Sequence, residues 1–243
     1  MNEERGKIIQ SLIYPAIFVV LIWLVKLFEI TFKVDLTPYG LQPMHLAGLL
    51  GIITSPFLHE GLSHLVANSI PLFLLGGLLF YFYREIAWKV LLLVYFITGI
   101  WVWVFARGDA VHIGASGVVY GLAAFLFLSG ILRRESKLMA MSLLTVFLYG
   151  GMVWGIFPQF FPLKQISWES HLMGLLAGTI LAIYYRKRGP QRTKYDWEEE
   201  EDEEDDGSTP EDLAEEPPAD ENQNLTDSTG TTNVIYNYKK EDN

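Results

Sequence analysis

The sequence predicts an all-α polytopic membrane protein, six transmembrane helices in one bundle followed by a disordered acidic C-terminal tail. Three observations carry that expectation. Apolar residues make up 51% of the 243-residue chain and its mean hydropathy is +0.25, although the last fifty residues contain almost nothing apolar. Six segments reach or approach the roughly 20 apolar residues that a spanning helix needs. The charge also divides sharply: residues 1–194 carry 16 Lys and Arg against 9 Asp and Glu, and the remainder carries 2 against 19. A net of +7 therefore precedes a net of −17. The sequence pI of 5.0 averages two unlike pieces and gives no argument for a nucleic-acid partner.

Each element follows in order. Residues 1–10 are charged and read as a cytoplasmic N-terminus. The apolar run after them, about 11–32, is too long for a signal-peptide core and has no small-residue cleavage site, so it reads as a retained span. The next stretch, about 33–59, is semi-apolar but broken by Gly and Pro, and is expected to lie at the outer interface. Spans are then expected at about 61–83, 87–107, 114–132, 138–157 and 170–185. Together they place one membrane domain over residues 11–188. Residues 189–243 form the tail: EEEEDEEDD, then Ser, Thr, Pro, Gly, Asn and Asp, is too polar to offset the entropy of ordering.

Basic residues orient the bundle. Arg5, Lys7, Arg84, Lys89, Arg133, Arg134, Lys137, Arg186, Lys187 and Arg188 fall at one set of span ends, against Lys33, Arg107 and Lys164 at the other. Six spans with this bias put both termini in the cytoplasm of a multi-pass protein, with a bacterial inner membrane as the expected location. Trp101, Trp103, Trp154 and Trp168 sit near outer ends, where aromatic belts form.

Polar groups inside hydrocarbon are costly and usually mark function. Span two holds His64 and Asn68, span four opens on Gly114, Ala115, Ser116 and Gly117, and span six opens on Ser170 and His171. With 1.5 Å of rise per residue and the basic residue at each inner end as a floor, Ser116, His171 and Asn68 all stand roughly 22–26 Å up. His64 lies one turn above Asn68 on the same face. One pocket below the outer surface could hold all four.

The chemistry such a pocket suits is acyl transfer. A serine hydroxyl is a poor nucleophile until a base takes its proton, and neutral imidazole is the usual base near pH 7. Ser116 and His171 supply that pair. The Ser116 backbone N–H, the Asn68 amide and a His64 ring N–H are the available oxyanion donors. Asp109 and Glu169 fall in outer loops, so a dyad is expected, with Tyr120, one turn below Ser116, stacking on His171. Each residue has a plainer reading too: Ser116 as a helix N-cap, His and Asn as groups satisfied by a neighbouring helix. Their coincidence in depth favours the site. The soluble hydrolase elbow G-x-S-x-G is excluded, because position 118 is Val and no strand precedes it. Gly117 with Gly121 and Gly174 with Gly178 form small faces that let spans four and six approach closely.

HEGLSHLVAN in span two, GASGVVYGL opening span four and HLMGLLAG opening span six resemble the rhomboid intramembrane serine proteases in order, placement and span count, over about residues 10–188. The resemblance implies a rhomboid-like bundle that cleaves transmembrane or juxtamembrane segments of membrane-protein substrates, with no cofactor and no metal. It implies Ser116 as nucleophile, His171 as base, an oxyanion role for His64 and Asn68, ring packing by Tyr120, and polar support from His59. Gly114 and Gly117 support the nucleophile within the same motif. The Trp-Arg pair of many relatives is missing from the first outer loop, and the acidic tail lies outside the likeness.

Three alternatives compete. A proteolytically inactive relative that binds membrane-protein clients would share the fold, but Ser116 and His171 are intact. A six-helix transporter would usually show paired broken helices or a charged relay along a path. A metal-dependent membrane protease needs more ligands than two histidines, and the absence of cysteine removes thiolate sites.

Overall fold

The computed structural model describes residues 2–108, 110–157 and 167–191. The tail beyond 191, Asp109, Lys164 and the Trp154 side chain, all invoked above, lie outside the described residues. Among the described residues the protein is all helical apart from one isolated bridge, Leu41 to His112.

Helix α1 spans Asn2–Phe32. A connection with short helical turns follows, including α2 at Gly51–Thr54. Then come α3 (Leu62–Phe82), α4 (Ala87–Phe105), α5 (Ser116–Arg133), α6 (Ser136–Tyr149) and α7 (Trp168–Tyr184). Four of these, α1, α3, α4 and α5, are long and apolar enough to cross a membrane. Helices α6 and α7, with 14 and 17 residues, are shorter.

Burial separates centre from periphery. In the most apolar window of α5, 61% of residues are buried, against 17% for α1. Helix α5 therefore runs through the bundle while α1 lies along its flank. Leu65, Leu75, Leu79, Val90, Val94, Leu122 and Phe125 fill the core. Outward faces remain apolar, Phe147 being 82% and Leu143 72% exposed, a surface that lipid accommodates and water does not.

Glycines set the closest approaches. A Cβ on Gly174 would stand 1.9 Å from the Gly117 carbonyl oxygen, and one on Gly178 2.0 Å from that of Gly121. Helices α5 and α7 thus touch backbone to backbone, as the small-residue faces predict, and theirs is the most extensive helix contact. Helix α1 meets α3 where Gly76 faces Pro15, and the Trp23 indole N–H donates to Ser69 Oγ at 3.0 Å.

Several boundaries differ from expectation. The fifth segment is not one helix over 138–157: α6 stops at Tyr149, and Gly150–Ile156 winds into a tighter 3₁₀ stretch beginning at two glycines. Helix α1 begins at Asn2, so the charged N-terminal residues continue the helix of the first apolar segment. Helix α7 begins at Trp168, so Glu169 lies in its first turn, 3% exposed and ion-paired with Arg107, instead of in an outer loop. A carboxylate there is favoured by the helix dipole.

Candidate active site

Helix α5 opens on Ser116, and the chain enters it through Gly114, whose φ of +109° a side chain would strain. The N-cap is Ala115, and no side chain caps the helix. Ser116 is therefore not spent as a cap. Its Oγ lies 2.9 Å from His171 Nε2 on α7.

The rest of the His171 ring is fixed on two sides. Nδ1 lies 2.8 Å from the Gly155 carbonyl oxygen. A carbonyl only accepts, so Nδ1 carries the proton, and the neutral ring presents an unprotonated Nε2 to the Ser116 hydroxyl. That is the tautomer a general base needs. Tyr120 stacks on the same ring with centroids 4.1 Å apart and planes 6° apart, as its i+4 position predicts. The Gly155 carbonyl was not anticipated from the sequence. A Cβ at that position would stand 2.2 Å from Tyr120 Oη and 3.1 Å from His171 Nδ1, so a side chain there would push on both rings.

Helix α3 presents His64 and Asn68 to the turn that precedes Ser116. A Cβ on Gly114 would fall 2.9 Å from His64 Nε2 and 3.9 Å from Asn68 Nδ2, so both groups face the backbone just before the serine. Asn68 is buried and donates one of its two amide hydrogens to the His64 carbonyl at 2.9 Å. As the first residue of α5, Ser116 has an N–H with no partner in the preceding turn. The expected set is thus gathered in one place, with His171 and Tyr120 at Ser116 and with His64 and Asn68 at Gly114 just before it. Gly117 sits beneath it, 3.1 Å from Ser170 O by its would-be Cβ, where any side chain would hold α5 and α7 apart.

His59 lies just before α3, 2% exposed, its ring 5.1 Å from that of His64. Burial, then the nearby His64 ring, pushes His59 down to about 4, so it is neutral at pH 7. Behind it sits a group the polar inventory of span one passed over. Lys26, 8% exposed on α1, pairs with Glu29 at 2.7 Å and donates to the carbonyls of His59 (2.8 Å) and Glu60 (3.1 Å). An ion pair inside an apolar helix was a usable signal.

The Rhomboid domain family matches this sequence over residues 46–188. Uncharacterized proteins of Mycobacterium bovis and Mycobacterium tuberculosis are each 33% identical over 181 residues, covering 72% of this chain and 74% of the relative. An uncharacterized protein of Mycobacterium leprae is 32% identical over 180 residues, covering 72% and 70%.

Proposed function

The chain belongs to the rhomboid family, and from that premise we propose that this integral multi-pass membrane protein is a serine endopeptidase cleaving transmembrane or juxtamembrane segments of other membrane proteins. The observation that carries the reading is the 2.9 Å contact of Ser116 Oγ with His171 Nε2, together with the Gly155 carbonyl that leaves Nε2 free to accept a proton.

His171 Nε2 takes the Ser116 proton as Oγ attacks the scissile carbonyl carbon. The oxyanion that forms is met by the Ser116 N–H, the Asn68 amide and the His64 ring. His171 then returns the proton to the leaving amine, and the acyl group stays on Ser116. Water, deprotonated by the same nitrogen, releases it as the carboxylic acid and restores the serine. Tyr120 and Gly155 hold the imidazole in one plane and one tautomer throughout, so the dyad works without a carboxylate. His59 supports the His64 ring. No cofactor enters, and the partners are the substrate and the bilayer.

In this reading α6 and α7 complete six spans, and the basic ends at Arg84, Arg133, Lys137 and Arg186 face the cytoplasm of a bacterial inner membrane. The site then opens toward the outer leaflet. The test is labelling of the reconstituted protein with a fluorophosphonate probe and peptide mapping of the adduct. Modification of Ser116, lost in His171→Ala, is the expected result. A well-folded protein that neither labels at Ser116 nor cleaves any single-pass substrate would point to client binding without proteolysis.

A further inference from the structure

At the N-terminal ends of α5 and α7 the dyad is accompanied by a second link between a serine and a histidine. Four residues before Ser116 stands His112, and four residues before His171 stands Ser167. His112 Nδ1 lies 2.5 Å from Ser167 Oγ, with the same sequence separation of 55 that relates Ser116 to His171. Ser167 Oγ in turn donates to Ser170 Oγ at 2.7 Å. Ser170 is the residue next to His171. His112 is 3% exposed, and its main chain pairs in both directions with Leu41 of the first connection, at 2.8 and 3.0 Å. It is therefore held on its own side by the backbone and reaches across to α7 with its ring.

The helices need such a link. Their closest approach runs through Gly117, Gly121, Gly174 and Gly178, a seam where backbone meets backbone with little side-chain bulk between them. Ser116 and His171 sit at the end of that seam, where a slide or splay of a few tenths of an ångström lengthens a 2.9 Å contact.

We propose that His112 is a positioning residue for the Ser116–His171 pair, acting through Ser167 and Ser170 to set the axial register of α7 against α5. This rests on the protease reading given above. The His112–Ser167 bond and the dyad contact are two rungs of one ladder, and the first keeps the second at reacting distance while substrate enters. His112 touches no reacting atom.

The experiment uses the full-length protein in liposomes with a single-pass membrane substrate, and expresses turnover per active site titrated by fluorophosphonate. His112→Ala and Ser167→Ala should each lower kcat per titrated site on the order of 10- to 100-fold, the scale of a small misplacement, with KM little changed. Because the two belong to one chain, the double variant should be scarcely worse than either single. Ser167→Thr keeps the hydroxyl and should recover most of the turnover. A merely structural role would instead reduce the titratable fraction and leave kcat per titrated site at the wild-type value, and that result overturns the proposal. So does a Ser167→Thr loss as deep as that of Ser167→Ala. Failure of the wild-type protein itself to label at Ser116 would bring down the protease reading, and this inference with it.

Discussion

The two ends of the α5–α7 pair face the same problem and answer it differently. At the N-terminal end, Ser116, His171, His112 and Ser167 join the helices through contacts between a serine hydroxyl and an imidazole nitrogen. At the C-terminal end, roughly 26 Å away along α5, Arg133 joins them with a fixed charge. It is 5% exposed, its Nη2 donates to the carbonyls of Tyr185 (2.7 Å) and Arg188 (2.9 Å), and its guanidinium lies 5.0 Å from the Tyr83 ring centre. A cation on the carbonyl end of a helix is favoured by the dipole and by charge-assisted bonds. One end is built so that a proton can be passed, the other so that nothing changes. The difference separates what this contact does for chemistry from what it does for stability, and substitutions at the two ends should separate in the same way.

The largest effect is expected at the dyad. Ser116→Ala and His171→Ala should each lower substrate cleavage on the order of 10⁴-fold or more, and the double variant should be little worse, because residues acting as a unit are strongly non-additive. Thermal stability should stay near wild type, since neither change strands a charge. Substantial cleavage by folded Ser116→Ala would remove the nucleophile assignment and, with it, the contrast between the two ends. Asn68→Ala comes next, deleting one oxyanion donor among several, at a cost on the order of 10² to 10³ in kcat. Loss in KM alone would place Asn68 in substrate binding.

How much of this was readable beforehand depended on whether a group carries its own mark. Ser116, His171, His64 and Asn68 are polar side chains at matching depth in apolar helices, and the structure gathers them. Tyr120 followed from the i+4 spacing, and the α5–α7 approach from paired glycines. The Gly155 carbonyl did not follow, because a backbone acceptor exists at every residue and its direction is set by a helix end that the apolar pattern over 138–157 gave no reason to expect. Glu169 was misplaced by a two-residue error in the start of α7. His112 and Ser167 could have been noticed, since they repeat the spacing of the dyad, but depth alone does not reveal a link that lies before both helices begin.

Gly155→Ala tests the part that the sequence hid. The new methyl would stand 2.2 Å from Tyr120 Oη, so the tyrosine must move and the stack on His171 must open. A misplaced imidazole should lower kcat about 10-fold or more, with fluorophosphonate labelling slowed in parallel. Unchanged labelling kinetics would mean that the ring is held by Tyr120 and α7 without help from the 3₁₀ segment.

The smallest effect on chemistry, and the sharpest test of the comparison, is expected from Arg133→Met. Methionine keeps much of the apolar stem that packs on Tyr83 and deletes the charge that holds the end of α7. Hydrogen bonds to a charged group contribute about 1.5 to 3 kcal/mol each, and part of that returns when water reaches the released carbonyls of Tyr185 and Arg188. The melting temperature of the detergent-solubilised protein should therefore fall by several degrees. Turnover per titrated active site should stay close to wild type, because the glycine seam lies between Arg133 and Ser116 and the His112–Ser167 link holds the helices on the far side of the dyad. The paired measurement is thermal unfolding beside active-site-titrated kcat. A large fall in kcat with stability intact would mean that register is transmitted along the whole length of α5 and α7, so that the two ends work as one device.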